Sequence, residues 1–318
     1  MVLVLVEQAA GQLAEPSAQA LTLARGLAGG ESLDAVLIGE GDGLAAQLGR
    51  HGVDTLHAAA VDGSYAPAAW AAAVVELAGR LSPTALVAAG TEVGNEVLAH
   101  VAARLDLPFA ANCIEASAGD GARVTRTRWG GSLLEEARVR GALAVLSVQP
   151  HAVAVVEVDA GDAAIERFTP ALAEADLAAR IVEHVPAPSG GVSLVDAKVV
   201  VSGGRGVGSA QGFAIVEELA GLLGGAVGCS RVVTSAGWRP HTDQVGQTGT
   251  KISPELYIPC GISGATQHIA GCRGAKRILA VNADPEAPIF ACADYAVIGD
   301  LHEILPAISA EIRKVRGA

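Results

Sequence analysis

The chain has 318 residues, of which 51% are hydrophobic and only 3% aromatic, and its formal net charge is −12. That length is a soft prior for two domains with separate cores, and a core of Ala, Val, Leu, Ile and Gly suits helices packed closely on a parallel sheet. Residues 199–318 carry 10 basic and 10 acidic side chains, so the whole negative excess falls on the first 198; that imbalance argues against nucleic acid as a partner, because phosphate binding needs clustered Lys and Arg.

No apolar run approaches the ~20 residues that a membrane helix requires. The start, Met1-Val-Leu-Val-Leu-Val6, is too short for a secretory core segment and has no basic flank. A soluble, cytoplasmic protein without direct membrane insertion is expected. Cys113, Cys229, Cys260, Cys272 and Cys292 are odd in number and form no C-x-x-C. They are expected to be small buried hydrophobes, with no disulfide framework and no zinc site.

In chain order, Val2–Val6 predicts a strand. Ala20, Leu23, Ala24 and Leu27 then share one helical face, which stops at Gly29-Gly30. Ala35–Ile38 predicts a strand, Leu44–Leu48 a short helix and Leu56–Ala60 a third strand. Pro67 opens a helix through Leu81, since proline suits a first turn. Ala85–Ala89, a helix over Gly94–Leu105 and a strand at Phe109–Cys113 follow. Strands alternating with helices imply a parallel sheet with right-handed crossovers. Val124–Arg128, Glu136–Arg140 and Ala142–Val148 lack intervening helices and are expected as antiparallel additions, with Val153–Asp159 as a further edge strand.

Val185-Pro-Ala-Pro-Ser-Gly-Gly191 is a linker signal. The organisation expected is therefore an α/β domain over residues 1–185, a linker over 186–197 and a second α/β domain over 198–318. Each domain is a mostly parallel sheet flanked by helices. In the second, Lys198–Ser202 predicts a strand, Val216, Leu219, Ala220 and Leu223 a helix face, and Trp238–Lys251 a long polar loop. Leu256–Cys260, a helix at Ser263–Gly271, and strands at Arg277–Val281 and Tyr295–Ile298 come next. Leu301, Ile304, Leu305, Ile308 and Ile312 mark a closing helix with Asp300 as its N-cap.

Three loops carry the candidate chemistry. Gly203-Gly-Arg-Gly-Val-Gly-Ser209 joins a strand to a helix, where open α/β sheets bind phosphates. The strict G-x-G-x-x-G pattern fails at Ser209, and the acid expected some 20 residues later for a ribose hydroxyl is absent from Gly228-Cys-Ser-Arg231. Arg205 among the glycines suits a phosphate or a ring face. Gln244-Val-Gly-Gln-Thr-Gly-Thr250 alternates glycine with amide and hydroxyl side chains inside a long loop, and such loops are usually functional. Gly261-Ile-Ser-Gly-Ala-Thr-Gln-His268 opens a helix for which Ser263 is the expected N-cap. Asn282 and Asp300 follow later strands, on the same ligand edge. Arg231 would keep a permanent positive potential over any ligand, whereas Trp238 is expected to pack. His51, His57, His100 and His151 are scattered, with no metal-ligand spacing, and no G-x-S-x-G supports serine hydrolysis. An electron carrier, a nicotinamide-dependent dehydrogenase and a non-catalytic nucleotide-binding module all remain open on these residues alone.

Taken in order, Gly204-Arg205-Gly206, Ser230-Arg231, Gln244–Gly249, Pro254-Glu-Leu-Tyr-Ile258, Gly261-Ile-Ser-Gly264, Gln267-His268, Asn282 and Asp284-Pro-Glu-Ala-Pro-Ile-Phe290 resemble the alpha subunit of electron-transfer flavoproteins. The likeness is closest over residues 203–301. It implies a Rossmann-like FAD-binding domain at 198–318, preceded by a nucleotide-hydrolase-like sheet with antiparallel additions. It also implies a heterodimer with a smaller beta subunit and a carrier rather than an enzyme. Acyl-CoA and related dehydrogenases, as in fatty acid beta-oxidation, would be the donors, and electron-transfer flavoprotein-quinone oxidoreductase the acceptor. The resemblance would line the FAD with Arg205, Ser230, Val245, Gly246, Gln247 and Thr248. Ser263, Gly264, Ala265, Thr266, Gln267 and His268 would complete that lining, with Asn282, Asp300 and Leu301 toward the adenosine end. It also implies Thr248 at flavin N5 and Arg231 and His268 beside the ring. The order Thr250-Lys251, and Thr266 in place of a larger aliphatic, depart from the family pattern.

Overall fold

A computed structural model describes residues 1–61, 64–129, 133–183, 192–195 and 197–316. The chain divides into two compact units, Met1–His184 and Val185–Ala318. Of the expected linker at 186–197, residues 186–191 and 196 lie outside the described residues, and 192–195 and 197 form neither helix nor strand.

The first unit opens with β1 (Val2–Leu5), whose four residues are all buried, as an apolar run lying between two parallel neighbours must be. A short hairpin, β2 (Gln8–Ala9) and β3 (Gln12–Leu13), leads into α1 (Glu15–Ala28). That helix stops at Gly29, which takes the left-handed conformation at φ 61° that a C-cap requires. β4 (Leu33–Ile38), α2 (Ala45–Gly49), β5 (Thr55–Ala59), α3 (Pro67–Leu81), β6 (Ala85–Ala89) and α4 (Glu92–Leu105) continue the alternation. Thr91 caps α4 by accepting from the Gly94 amide at 2.9 Å. The chain then runs through β7 (Phe109–Gly119), β8 (Gly121–Arg128), β9 (Leu133–Val139), β10 (Ala144–Val148) and β11 (Ala164–Phe168).

These strands form a nine-stranded sheet in the order β11-β5-β4-β1-β6-β10-β7-β8-β9. It is parallel from β11 to β7, and only β7-β8-β9 is antiparallel. Two expectations fail here. Ala144–Val148 is not an antiparallel addition. It lies between β6 and β7, parallel to both, with every residue buried. Its unbroken burial is that of a central strand, with Ser147 satisfied by Asn95 and the Asn112 amide, and the β8–β9 ribbon rather than a helix makes the crossover. Val153–Asp159 forms no strand. Its backbone is held by Arg25, Thr22 and the Arg50 carbonyl, and the edge beside β5 is instead β11.

The second unit contains β12 (Val199–Gly203), α5 (Ala214–Leu223), β13 (Ala226–Cys229), α6 (Arg231–Ser235), β14 (Leu256–Cys260), α7 (Thr266–Cys272), β15 (Leu279–Asn282), β16 (Tyr295–Ile298) and α8 (Leu301–Arg316). Its five strands are parallel in the order β13-β12-β14-β15-β16. Counted within the unit this is 2-1-3-4-5, so the direction of winding reverses between β12 and β14. Ligands of open α/β sheets bind at that switch point, outside the carboxyl ends of the strands. Val201, Phe213, Val216, Leu219, Ile258, Val281, Leu301 and Leu305 fill one face of the sheet. The apolar stripe of α8 lies there as expected, and Trp238 packs against the same cluster.

Among the described residues no helix is long and apolar enough to cross a membrane, and no group of three or more His, Cys, Asp or Glu could hold a metal ion. All five cysteines are free thiols. Burial pushes the Cys113, Cys229, Cys260 and Cys272 thiols up to about 12, the range of an inert core side chain rather than a nucleophile.

Candidate functional site

The residues singled out in the second unit all lie at the carboxyl ends of its strands. The segment after β12 makes two 3-10 turns, Arg205–Val207 and Gln211–Phe213, before α5. Gly204 and Gly206 serve backbone packing. A Cβ on Gly204 would sit 2.2 Å from the Gly261 carbonyl oxygen, and one on Gly206 would sit 2.7 Å from the Gly261 Cα. The Gly206 amide donates to Gly261 O at 3.0 Å. The loops after β12 and β14 therefore touch backbone to backbone across the switch point, an approach that only glycine permits.

The second loop joins the same cluster from the other side. The Val245 amide donates to Cys229 O at 2.9 Å, and the Gln247 amide to Gln267 O at 2.7 Å. A Cβ on Gly271 would lie 2.4 Å from Gly246, so α7 and this loop are also in backbone contact. Thr248 is exposed, and its hydroxyl accepts from Gln244 Nε2 at 3.0 Å; Gln244 Oε1 accepts in turn from Thr234 at 2.8 Å. Asn282, at the end of β15, donates to Ile262 O at 2.9 Å. Asp300 caps α8, its Oδ1 accepting from the His302 amide at 2.8 Å, and Leu301 packs its Cδ2 toward Gly261. The segment 261–268 is thus the hub that the other loops meet.

Ser230 and Arg231 come from a strand and short helix that periodicity did not reveal. β13 has four residues and α6 five, too few for a clear signal. The Ser230 amide donates to Gly203 O at 3.1 Å, which ties this turn to the first loop. Ser263 is not the N-cap of its helix. α7 starts later, at Thr266, after Ala265 in an extended conformation, and the Ser263 carbonyl accepts from the Ile289 amide at 3.0 Å. The left-handed Gly264 at φ 87°, wedged against Ile289, delays the helix by turning the chain first.

Arg205, Arg231, Gln247, Thr248, Ser263, Ala265, Thr266, Gln267 and Asp300 are exposed; Ser230 and Asn282 are half-buried. Val245, Gly246, Gly264, His268 and Leu301 are buried. Among the described residues neither Arg205 nor Arg231 makes an ion pair. Asp300, the one carboxylate of the set, is engaged as a helix cap. The rim is therefore locally positive, with unpaired guanidinium groups beside close-packed glycine turns and the Thr266 and Gln267 amides at the start of α7, ahead of the His268 amide that already donates to Ala265 O at 2.8 Å. That donor set fits a dinucleotide carrying a pyrophosphate.

His268 occupies a different setting from the rest. Its ring is buried, with Nε2 2.7 Å from the Tyr257 hydroxyl on β14. Desolvation pushes its pKa down to about 4 despite the opposing Val245 backbone, so the imidazole is neutral at physiological pH. Sequence reasoning named the histidine and missed the tyrosine, whose place in an apolar strand reads as core.

Residues 2–173 match the electron transfer flavoprotein domain, and residues 193–273 match the electron transfer flavoprotein FAD-binding domain. The second match contains all three glycine loops and ends before Asn282, Asp300 and Leu301. An electron transfer flavoprotein subunit alpha from Thermoanaerobacterium thermosaccharolyticum is 35% identical over 324 residues, covering 98% of each chain. The same subunit from Syntrophomonas wolfei is 36% identical, again over 98% of each chain. That of Mycobacterium leprae is 38% identical over 99% of each. With both units matched and relatives above 30% identity along nearly the whole length, the chain belongs to the electron transfer flavoprotein family, as an alpha subunit.

Proposed function

We propose that this chain carries FAD on the rim of its second unit, completes the site with a beta subunit, and shuttles electrons from dehydrogenases of the acyl-CoA type to a membrane quinone oxidoreductase in the respiratory chain. As a member of its family it is an electron carrier rather than a self-sufficient enzyme. The observation that carries the reading is the convergence of three loops at the 2-1-3-4-5 switch point, with unpaired Arg205 and Arg231 at their edge.

Bound FAD would supply the chemistry of accepting two electrons and releasing them singly. The protein's share is placement and electrostatics. Arg205, beside the loop after β12, suits the pyrophosphate, and the Thr266 and Gln267 amides that open α7 add donors to it. Arg231 cannot lose its charge, so negative charge that develops on a nearby ring is stabilised at every working pH. Thr248 offers a hydroxyl at the tip of the second loop, held by Gln244. Ser230, Gln247 and Gln267 provide further polar contacts, with Asn282, Asp300 and Leu301 assigned to the adenosine end.

A nicotinamide-dependent dehydrogenase is disfavoured at one position. The second strand of the unit, β13, ends at Cys229 and is followed by Ser230 and Arg231, where a carboxylate for a ribose hydroxyl would stand. Co-expression with a neighbouring beta subunit tests the proposal. Extracted FAD, and bleaching of the visible band by an acyl-CoA dehydrogenase with its substrate, are the expected results. Bound FAD that no dehydrogenase reduces would refute the assignment of donors.

A further inference from the structure

A buried amide joins two of the elements that carry candidate site residues. Gln244, at the root of the second loop, is 2% exposed. Its backbone is fixed, the N–H donating to His241 O at 3.0 Å and the carbonyl accepting from the Thr250 amide at 2.7 Å. Its side chain meets Thr248 Oγ1 through Nε2 at 3.0 Å and Thr234 Oγ1 through Oε1 at 2.8 Å. Thr234 lies on α6, and the Arg231 carbonyl is a second acceptor for its hydroxyl at 2.9 Å. Thr248 is exposed, and among the described residues its hydroxyl has no other protein partner.

Each threonine has one hydroxyl proton, whereas the amide has a donor end and an acceptor end. Two arrangements follow. In the first, Thr234 donates to Oε1 and Nε2 donates to Thr248, whose own proton is left to point outward. In the second, the amide is turned over. Nε2 then donates to Thr234, Thr234 gives its proton to the Arg231 carbonyl, and Thr248 donates inward to Oε1, leaving lone pairs outward. Both arrangements satisfy the buried amide at both ends, as burial requires. The turn is about a terminal bond with a two-fold profile and exchanges two groups of nearly equal size. The Arg231 carbonyl makes the second arrangement possible, because it takes the proton that Thr234 would otherwise have nowhere to place.

We propose that Gln244 is a positioning residue that works as a two-way relay between α6 and the loop tip, so that Thr248 presents either a proton or a lone pair to the cofactor. This rests on the proposed FAD site. An oxidised flavin has ring nitrogens that accept a hydrogen bond, and full reduction places a proton on one of them. A fixed donor would suit the first state and oppose the second, and a carrier has to hold both. The relay gives no proton to the ring and takes none from it; two hydroxyls and one amide rotate. Gln244 touches no ligand and acts only through Thr248.

The test is nitrogen NMR of the heterodimer, with FAD labelled at its ring nitrogens and this chain labelled in its glutamine side chains, before and after reduction by dithionite. Gln244→Met identifies the Gln244 amide signal. One ring nitrogen of oxidised FAD should show an accepted hydrogen bond that Thr248→Val abolishes. Gln244→Met should weaken the same bond and speed FAD release several-fold. Thr234→Val, two contacts from the ring and half-buried, should weaken it too, and keeps the test available if Gln244→Met does not fold. Neither change should add to the effect of Thr248→Val. The Gln244 amide signal should move on reduction in the unaltered protein and stay in place in Thr248→Val. A ring-nitrogen signal indifferent to Gln244→Met and to Thr234→Val overturns the relay, and an amide signal indifferent to reduction overturns its reversal. A heterodimer without FAD would sink the cofactor reading separately, since the amide signal still shows whether Thr234→Val and Thr248→Val displace it; if neither does, the relay is absent.

Discussion

Gly204→Ala is the sharpest perturbation of the switch point. The added Cβ would lie 2.2 Å from the Gly261 carbonyl oxygen and 2.7 Å from both the Gly261 carbonyl carbon and Ile262 Cγ1. Real Cβ contacts stay beyond 3.0 Å, so the loop after β14 must retreat by about 0.8 Å (3.0 less 2.2). It is tied down by the Gly206–Gly261 and Asn282–Ile262 hydrogen bonds and cannot do so freely. Forced overpacking of this kind costs about 2 kcal/mol. For a unit of this size that corresponds to a fall in Tm of roughly 8 °C. The same retreat opens the contact between the two loops, so FAD content should fall with it. Scanning calorimetry and flavin extraction on the heterodimer measure both. Gly221→Ala is the control: its Cβ meets nothing within 4 Å, and in the interior of α5 it should stabilise by roughly 0.5–1 kcal/mol. Unchanged Tm and unchanged FAD content in Gly204→Ala would refute the argument that these loops are held in backbone contact.

Further outcomes follow from individual side chains. Arg231→Ala should lower the first one-electron midpoint potential of the bound flavin. The side chain is exposed, so a water-screened interaction of about 1 kcal/mol is appropriate, equivalent to roughly 40 mV in a potentiometric titration; no shift would remove Arg231 from its role. His268 has a folded pKa of about 4 against an ordinary value of 6.5. Its unfolded form therefore binds a proton that the native form refuses, and stability present above pH 6.5 is lost progressively as pH falls toward 4. At about 1.4 kcal/mol per pH unit the loss approaches roughly 3 kcal/mol. Denaturant titrations should show this slope, and His268→Gln should flatten it. Thr91→Ala removes the α4 cap and also the hydroxyl that donates to Glu7 at 2.5 Å, a carboxyl whose pKa burial raises. A loss of about 1 kcal/mol is expected from urea unfolding.

The parallel framework was legible because its signals are local. Pro67–Leu81, Ala85–Ala89, Leu256–Cys260 and Tyr295–Ile298 match the expected bounds, since Pro67 marks the helix start and the three strands are short, mainly apolar runs. What failed depended on pairing partners. The run Ala144–Val148 says that it is buried but not which strands flank it. Val153–Asp159 has the composition of an edge strand and meets side chains instead. In the site, the loops were visible as glycine-rich interruptions, and their carboxyl-end placement followed from strand order. The purpose of the glycines was not visible. They close-pack loop on loop, which depends on residues some 55 positions apart, as Gly206 and Gly261 are. Ser263 looked like a helix cap because an N-cap preference is local, whereas the left-handed Gly264 beside Ile289 postpones the helix. Tyr257 was hidden for the converse reason: one polar atom at the tip of a core side chain carries no pattern.

The central claim is that three loops at one sheet edge hold a single flavin. The most direct measurement is the visible absorption spectrum of the purified heterodimer, followed by identification of the released cofactor. A yellow complex with stoichiometric FAD is predicted. A complex that stays colourless after incubation with excess FAD would contradict the account.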